Sequence, residues 1–206
     1  MWKIILDAGH GINTPGKRSP DGRFREYKFN RIIVNAVAEH LRLRGYDVEI
    51  LTPEETDVPL PERVDRANRM TCQPGLPIQK VCIISIHGNA AGNGSKWMKA
   101  RGWCAYTCKG HTLSDELANC LYKAARKYLP GQRIRTDYTD GDPDFEAQFY
   151  LLRNTYAAAV LTENRQDFSA IHVQIHIMIG NYRSKPFGDT PHLERQFFFH
   201  VFSSED

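Results

Sequence analysis

A chain of 206 residues is long enough for one domain with a sizeable core, and its length does not require two. Hydrophobic residues make up 41% and charged residues 25%, as in ordinary soluble proteins, and no stretch approaches the roughly 18 apolar residues that would span a bilayer. The 27 basic and 24 acidic residues are interleaved, giving a net charge of +3. Nucleic-acid binding needs a concentrated positive face, so no nucleic-acid partner is expected.

The chain opens on a short apolar run, residues 1–6, that reads as a buried strand ending at Asp7-Ala8-Gly9-His10-Gly11. It lacks the basic start, longer apolar stretch and cleavage site of a signal peptide. The chain is therefore expected to be made in the cytoplasm and to act elsewhere only after release or export. A loop rich in Gly, Pro, Ser and Asp leads to a helix starting near Glu26, with Phe29, Ile32, Ile33, Ala36, Val37, His40 and Leu41 spaced by threes and fours and Gly45 as its stop. Residues 47–51 alternate like a strand, and Leu60, Val64, Ala67 and Asn68 restore helical spacing. Residues 81–86 (VCIISI) form the strongest strand, four of the six being β-branched and apolar, and end at His87.

Residues 102–107 read as a further strand. Residues 112–128 read as a helix with Thr112 as N-cap, Glu116 in its first turn, and Leu113, Leu117, Leu121 and Ala124 along one stripe. After a polar loop at 137–144, residues 157–162 (AAAVLT) give a last clear strand before Glu163-Asn164. Strands alternating with helices predict a single α/β domain, an open, mostly parallel sheet flanked by helices. The five cysteines are odd in number and include no CxxC pair, so free thiols are expected rather than a disulfide framework or cysteine metal site.

Three predicted strands end in ligand-type residues: His10 after the first, His87 after the third and Glu163 after the last. Open α/β sheets gather their sites at the carboxyl ends of strands, and Glu26 is close enough in sequence to His10 to return to the same edge. Two imidazoles and a carboxylate suit a hydrolytic zinc site with an open fourth position, and a second carboxylate, Glu163, would handle protons. From pattern alone another reading stands beside this one. With eight histidines in the chain, two at strand ends can arise by chance, and Glu26 can simply complement a helix dipole.

The strings themselves decide between the two. LDAGHG, a glutamate at a helix start, LPERVDRAN at 60–68, SIHGNA at 85–90 and AVLTEN at 159–164 occur in one order, with Ser114-Asp115-Glu116-Leu117-Ala118 and Tyr150-Leu151-Leu152-Arg153 between the last two. The chain thereby resembles the type-3 family of zinc-dependent N-acetylmuramoyl-L-alanine amidases. The resemblance implies that His10, Glu26 and His87 bind zinc and that Glu163 is the catalytic glutamate. It further implies that Asn89 and Arg153 support the site. The implied substrate is peptidoglycan, cut between N-acetylmuramic acid and the L-alanine that opens the stem peptide. Two other functions fit the same residues: a wall-binding module that has lost turnover, and a zinc peptidase cutting within the stem.

After Glu163 the chain departs from the family. Ile171, Val173, Ile175, Ile177 and Ile179 fall at every second position, which is strand periodicity where the family closes with a helix. His172 and His176 read as the polar face of that strand rather than a second metal pair. Residues 1–184 are expected to form the catalytic domain, and residues 185–206, ending in the apolar QFFFHVF run, an appended tail.

Overall fold

The structure is a computed structural model describing residues 2–88, 95–96, 102–129 and 131–164. Asn89 and the expected strand and tail after Glu163 lie outside the described residues. The described elements run β1 (Lys3–Ala8), α1 (Glu26–Leu43), β2 (Asp47–Ile50), α2 (Leu60–Thr71), β3 (Val81–Gly88), β4 (Cys104–Thr107), α3 (Leu113–Tyr128), β5 (Phe145–Glu146), α4 (Tyr150–Asn154) and β6 (Ala158–Asn164).

The sheet order is β2-β1-β3-β6-β4-β5. β2, β1, β3 and β6 run parallel, while β4 pairs antiparallel with β6 and parallel with β5. The expected mostly parallel α/β sheet is therefore present, with a reversed edge.

Side chains alternate across a strand, and both faces of this sheet are covered, which is why its central strands read as unbroken apolar runs. Ile4, Leu6, Cys82, Ile84, Ile86 and Val160 face the side filled by Ile33, Val37 and Leu41 of α1 and by Leu117, Leu121 and Tyr122 of α3. Ile5, Ile83, Ala159 and Leu161 face the other side, against Val64 and Ala67 of α2 and Leu151 and Leu152 of α4.

α1 ends as its glycine demands. Gly45 takes φ +84, and its N–H donates to the carbonyl of Arg42. α3 begins at the expected N-cap, Thr112, with Glu116 in its first turn, and Asp115 completes a capping box with Thr112.

Two elements have no forerunner in the sequence reading. α4 spans five residues and β5 two, too short for periodicity to speak. Arg63 lies on α2 and is buried despite its charge. It donates to Asp7 Oδ1 (2.7 Å), the Ala8 carbonyl (3.0 Å), the Val58 carbonyl (2.8 Å) and Asp57 Oδ1 (2.8 Å). Asp7 also accepts from the Ser85 hydroxyl at 2.6 Å and from the Thr52 hydroxyl at 3.2 Å. With its donors satisfied, this charge pair tolerates burial, and it ties the end of β1 to β3, α2 and the loop before α2.

Candidate metal centre and catalytic cleft

Adjacency in the sheet brings the strand-end residues together. β1, β3 and β6 are consecutive neighbours, and His87 sits directly opposite Glu163 in the β3–β6 register. Both belong to the face that carries Ile83 and Leu161. β3 runs to Gly88, so His87 is held inside a strand rather than beyond its end.

His10 follows β1 in a left-handed conformation, φ +63. Its turn is pinned on both sides. The Gly9 N–H donates to the Ile86 carbonyl (3.0 Å), the Asn30 side-chain amide donates to the Gly9 carbonyl (2.9 Å), and Arg31 donates to the His10 carbonyl (2.9 Å). Glu26 opens α1 and is 1% exposed.

One oxygen of Glu26 stands between the two imidazoles. Oε1 lies 3.3 Å from His10 Nε2 and 3.2 Å from His87 Nδ1, and the two rings meet edge to face at 4.9 Å between centroids. Burial pushes the Glu26 carboxyl up, but the two imidazoles more than offset this and bring it down to about 2. It is therefore a carboxylate at any working pH.

Two buried atoms of this group, His10 Nε2 and Glu26 Oε2, have no hydrogen-bond partner. His10, Glu26 and His87 can each offer one ligand atom within 4.8 Å of the others. Orphaned buried lone pairs are rare because each costs desolvation energy, and imidazole with carboxylate is a donor set that a metal satisfies.

Gly9 leaves the room this arrangement needs, since a Cβ there would fall within the His87 ring. Gly9→Ala is therefore expected to displace the imidazole, lowering metal affinity and activity while the protein still folds. Metal titration and circular dichroism check this, and an unchanged affinity would contradict it.

A cavity of about 530 Å³ opens beside the cluster. His10, His87, Glu163 and Lys17 line one part of it, and Val58, Leu60, Phe149 and Tyr150 another. The Glu163 carboxyl is raised above its usual range, first by burial and then by the nearby Glu26, while His87 and Arg135 pull it down.

Arg135 has no signal in the sequence. It lies in a polar loop, and its Nη2 approaches Glu163 Oε2 at 3.6 Å. Its backbone is fixed by its N–H donating to the Trp103 carbonyl (2.8 Å) and by the Tyr122 hydroxyl donating to its carbonyl (3.0 Å). Arg153 stands elsewhere, exposed in the last turn of α4 and not among the residues lining the cavity.

The profile of the N-acetylmuramoyl-L-alanine amidase family matches residues 4–165. A comparison with curated protein sequences gives no match. Among solved structures, the catalytic domain of CwlV, an N-acetylmuramoyl-L-alanine amidase from Bacillus (Paenibacillus) polymyxa var. colistinus, is similar at a TM-score of 0.67 and 22% identity, covering 87% of this chain and 93% of that one. An N-acetylmuramoyl-L-alanine amidase from Clostridium difficile 630 gives 0.67 and 23%, covering 87% and 91%. AmiC2 of Nostoc punctiforme, another such amidase, gives 0.64 and 20%, covering 86% and 91%. At these identities the structural likeness speaks for the fold.

Proposed function

The chain belongs to the N-acetylmuramoyl-L-alanine amidase family, and on that premise we propose that it is a zinc-dependent hydrolase of peptidoglycan, cleaving the amide between N-acetylmuramic acid and L-alanine. The observation that carries this reading is the buried Glu26 carboxylate flanked by His10 and His87, with His10 Nε2 and Glu26 Oε2 buried and lacking hydrogen bonds, beside the protonatable Glu163. His10, Glu26 and His87 would hold the metal. Bound there, zinc supplies Lewis acidity, polarising an amide carbonyl and lowering the pKa of a coordinated water to about 7.

The chain's own residues do the rest. Glu163 accepts a proton from the attacking water and delivers it to the nitrogen of L-alanine as the C–N bond breaks. Its burial suits the first half of that task, because a carboxyl held above its usual range is a stronger base toward the water's proton. Arg135 steadies the anionic form that begins the cycle. The cavity wall formed by Phe149, Tyr150, Leu60 and Val58 gives the sugar and stem an apolar surface to lie against. In this reading the protein meets its substrate after release or export to the wall.

A pH prediction follows from Arg135. A general base works deprotonated, so activity rises as pH climbs through the pKa of Glu163. Arg135 lowers that pKa, and Arg135→Gln removes the cation. The acid limb of kcat/KM is then expected to move to higher pH, with the largest loss on the acid side. An unmoved limb would mean that Arg135 does not act on Glu163.

The proposed function is tested on purified peptidoglycan by following new amino groups. Zinc-loaded protein should release amino-terminal L-alanine, chelation should stop it, and added zinc should restore it. Turnover unaffected by chelation contradicts zinc dependence. New amino groups on other stem residues would show a peptidase, and none at all a binding module.

A further inference from the structure

A second cluster of ligand-type residues gathers where the end of β4, the start of α3 and the loop before β5 meet. Asp115, Asp142 and Asp144 each present a carboxylate oxygen within 4.8 Å of the others, and none of the three lines the cleft of His10 and His87. They are 5%, 9% and 1% exposed.

Asp115 is accounted for by local structure. Its Oδ2 accepts from the Thr112 N–H and hydroxyl, at 2.5 and 2.9 Å, closing the capping box. The other two aspartates are not. Asp142 Oδ1 and Asp144 Oδ1 are buried with no hydrogen-bond partner. The buried Thr107 hydroxyl lies 3.1 Å from Asp115 Oδ1 and 2.5 Å from Asp144 Oδ2, but its single proton can serve only one of them. Asp142 has a basic neighbour in His111, but that ring is 3.9 Å away and its side chain is 76% exposed.

Buried carboxylates that face one another with two of their oxygens lacking donors are costly, and either protons or a cation must relieve them. Burial, with Asp142 and Asp115 as neighbours, pushes Asp144 up to about 7. Near neutral pH a proton therefore settles the cluster only in part. The donors are hard oxygens, carboxylates and a hydroxyl, the set that calcium takes and a thiolate- or imidazole-seeking metal does not. A polar groove lined by Glu116, Asn119 and Asp140 opens beside the cluster, giving an ion a path in and leaving space for the waters that would complete its shell.

We propose that Asp142, Asp144 and Asp115, with the Thr107 hydroxyl, bind a divalent oxygen-seeking cation of the calcium class. The ion would staple the loop before β5 to β4 and α3, independently of the zinc chemistry across the sheet.

The test is calorimetric titration of the zinc-loaded full chain with calcium chloride, together with its thermal unfolding midpoint. Wild type should bind about one calcium per chain. At a free concentration a hundred times Kd, its folding equilibrium constant should rise about a hundredfold. Asp144→Asn and Asp142→Asn keep side-chain size while removing an anionic oxygen. Each should keep its zinc content, lose the calcium response, and unfold without calcium no lower than wild type, because repulsion is relieved. Using both variants keeps the test decisive if one folds poorly. The proposal is overturned if wild type shows neither binding heat nor a midpoint shift, or if both variants respond to calcium as wild type does. Stabilisation by acidification alone, with no calcium response, would assign the cluster to shared protons instead.

Discussion

Glu163→Gln is expected to lower kcat by about 10²–10⁴-fold, the usual worth of a positioned general acid–base, while zinc content stays at the wild-type level. The substitution keeps the side chain's size and its place opposite His87 on β6. It removes the only property the chemistry asks of it, the ability to take and return a proton. Because Glu163 is partly buried beside Arg135, a neutral amide there should leave the sheet intact. The check is single-turnover kinetics alongside metal analysis. Activity within a few-fold of wild type would assign proton transfer to another group.

His87→Ala should have the larger effect. It strips one of the two imidazoles from the cluster and leaves Glu26, a buried carboxylate normally held down to about 2, with a single neighbouring ring. A catalytic zinc site keeps three protein ligands, so the loss of one should reduce occupancy from about one zinc per chain to a small fraction and bring hydrolysis to background. Full zinc occupancy in the purified variant would remove His87 from the ligand set. The two variants separate binding from chemistry, because the first should keep the metal and lose turnover while the second loses both.

Much of the fold was legible because its central strands are buried on both faces. Apolar runs such as residues 81–86 can hardly be anything else, and the stripe from Phe29 to Leu41 has one period that fits. His10, His87 and Glu163 were legible for a related reason, since polar residues ending such runs must emerge at the sheet's carboxyl edge.

What the sequence hides is spatial order. Periodicity shows that β1, β3 and β6 exist but not that they are neighbours, and it carries no trace of the reversal of β4. Arg135 reaches Glu163 only because that reversal sets Trp103 beside the loop of residues 133–135. Asp142 and Asp144 looked like ordinary loop residues, and their burial comes from packing against Thr107 and the capped end of α3. Arg63 was hidden by its charge, which argues for a surface until Asp7 and Asp57 are seen to meet it.

The bond that is broken tests the account most directly. Purified peptidoglycan is digested by the zinc-loaded protein in heavy-oxygen water, and the fragments are weighed by mass spectrometry. The account predicts heavy oxygen in the lactyl carboxylate of N-acetylmuramic acid, with intact stem peptides bearing an unlabelled free L-alanine amine. Heavy oxygen in a carboxylate within the stem, with L-alanine still joined to the sugar, would contradict it.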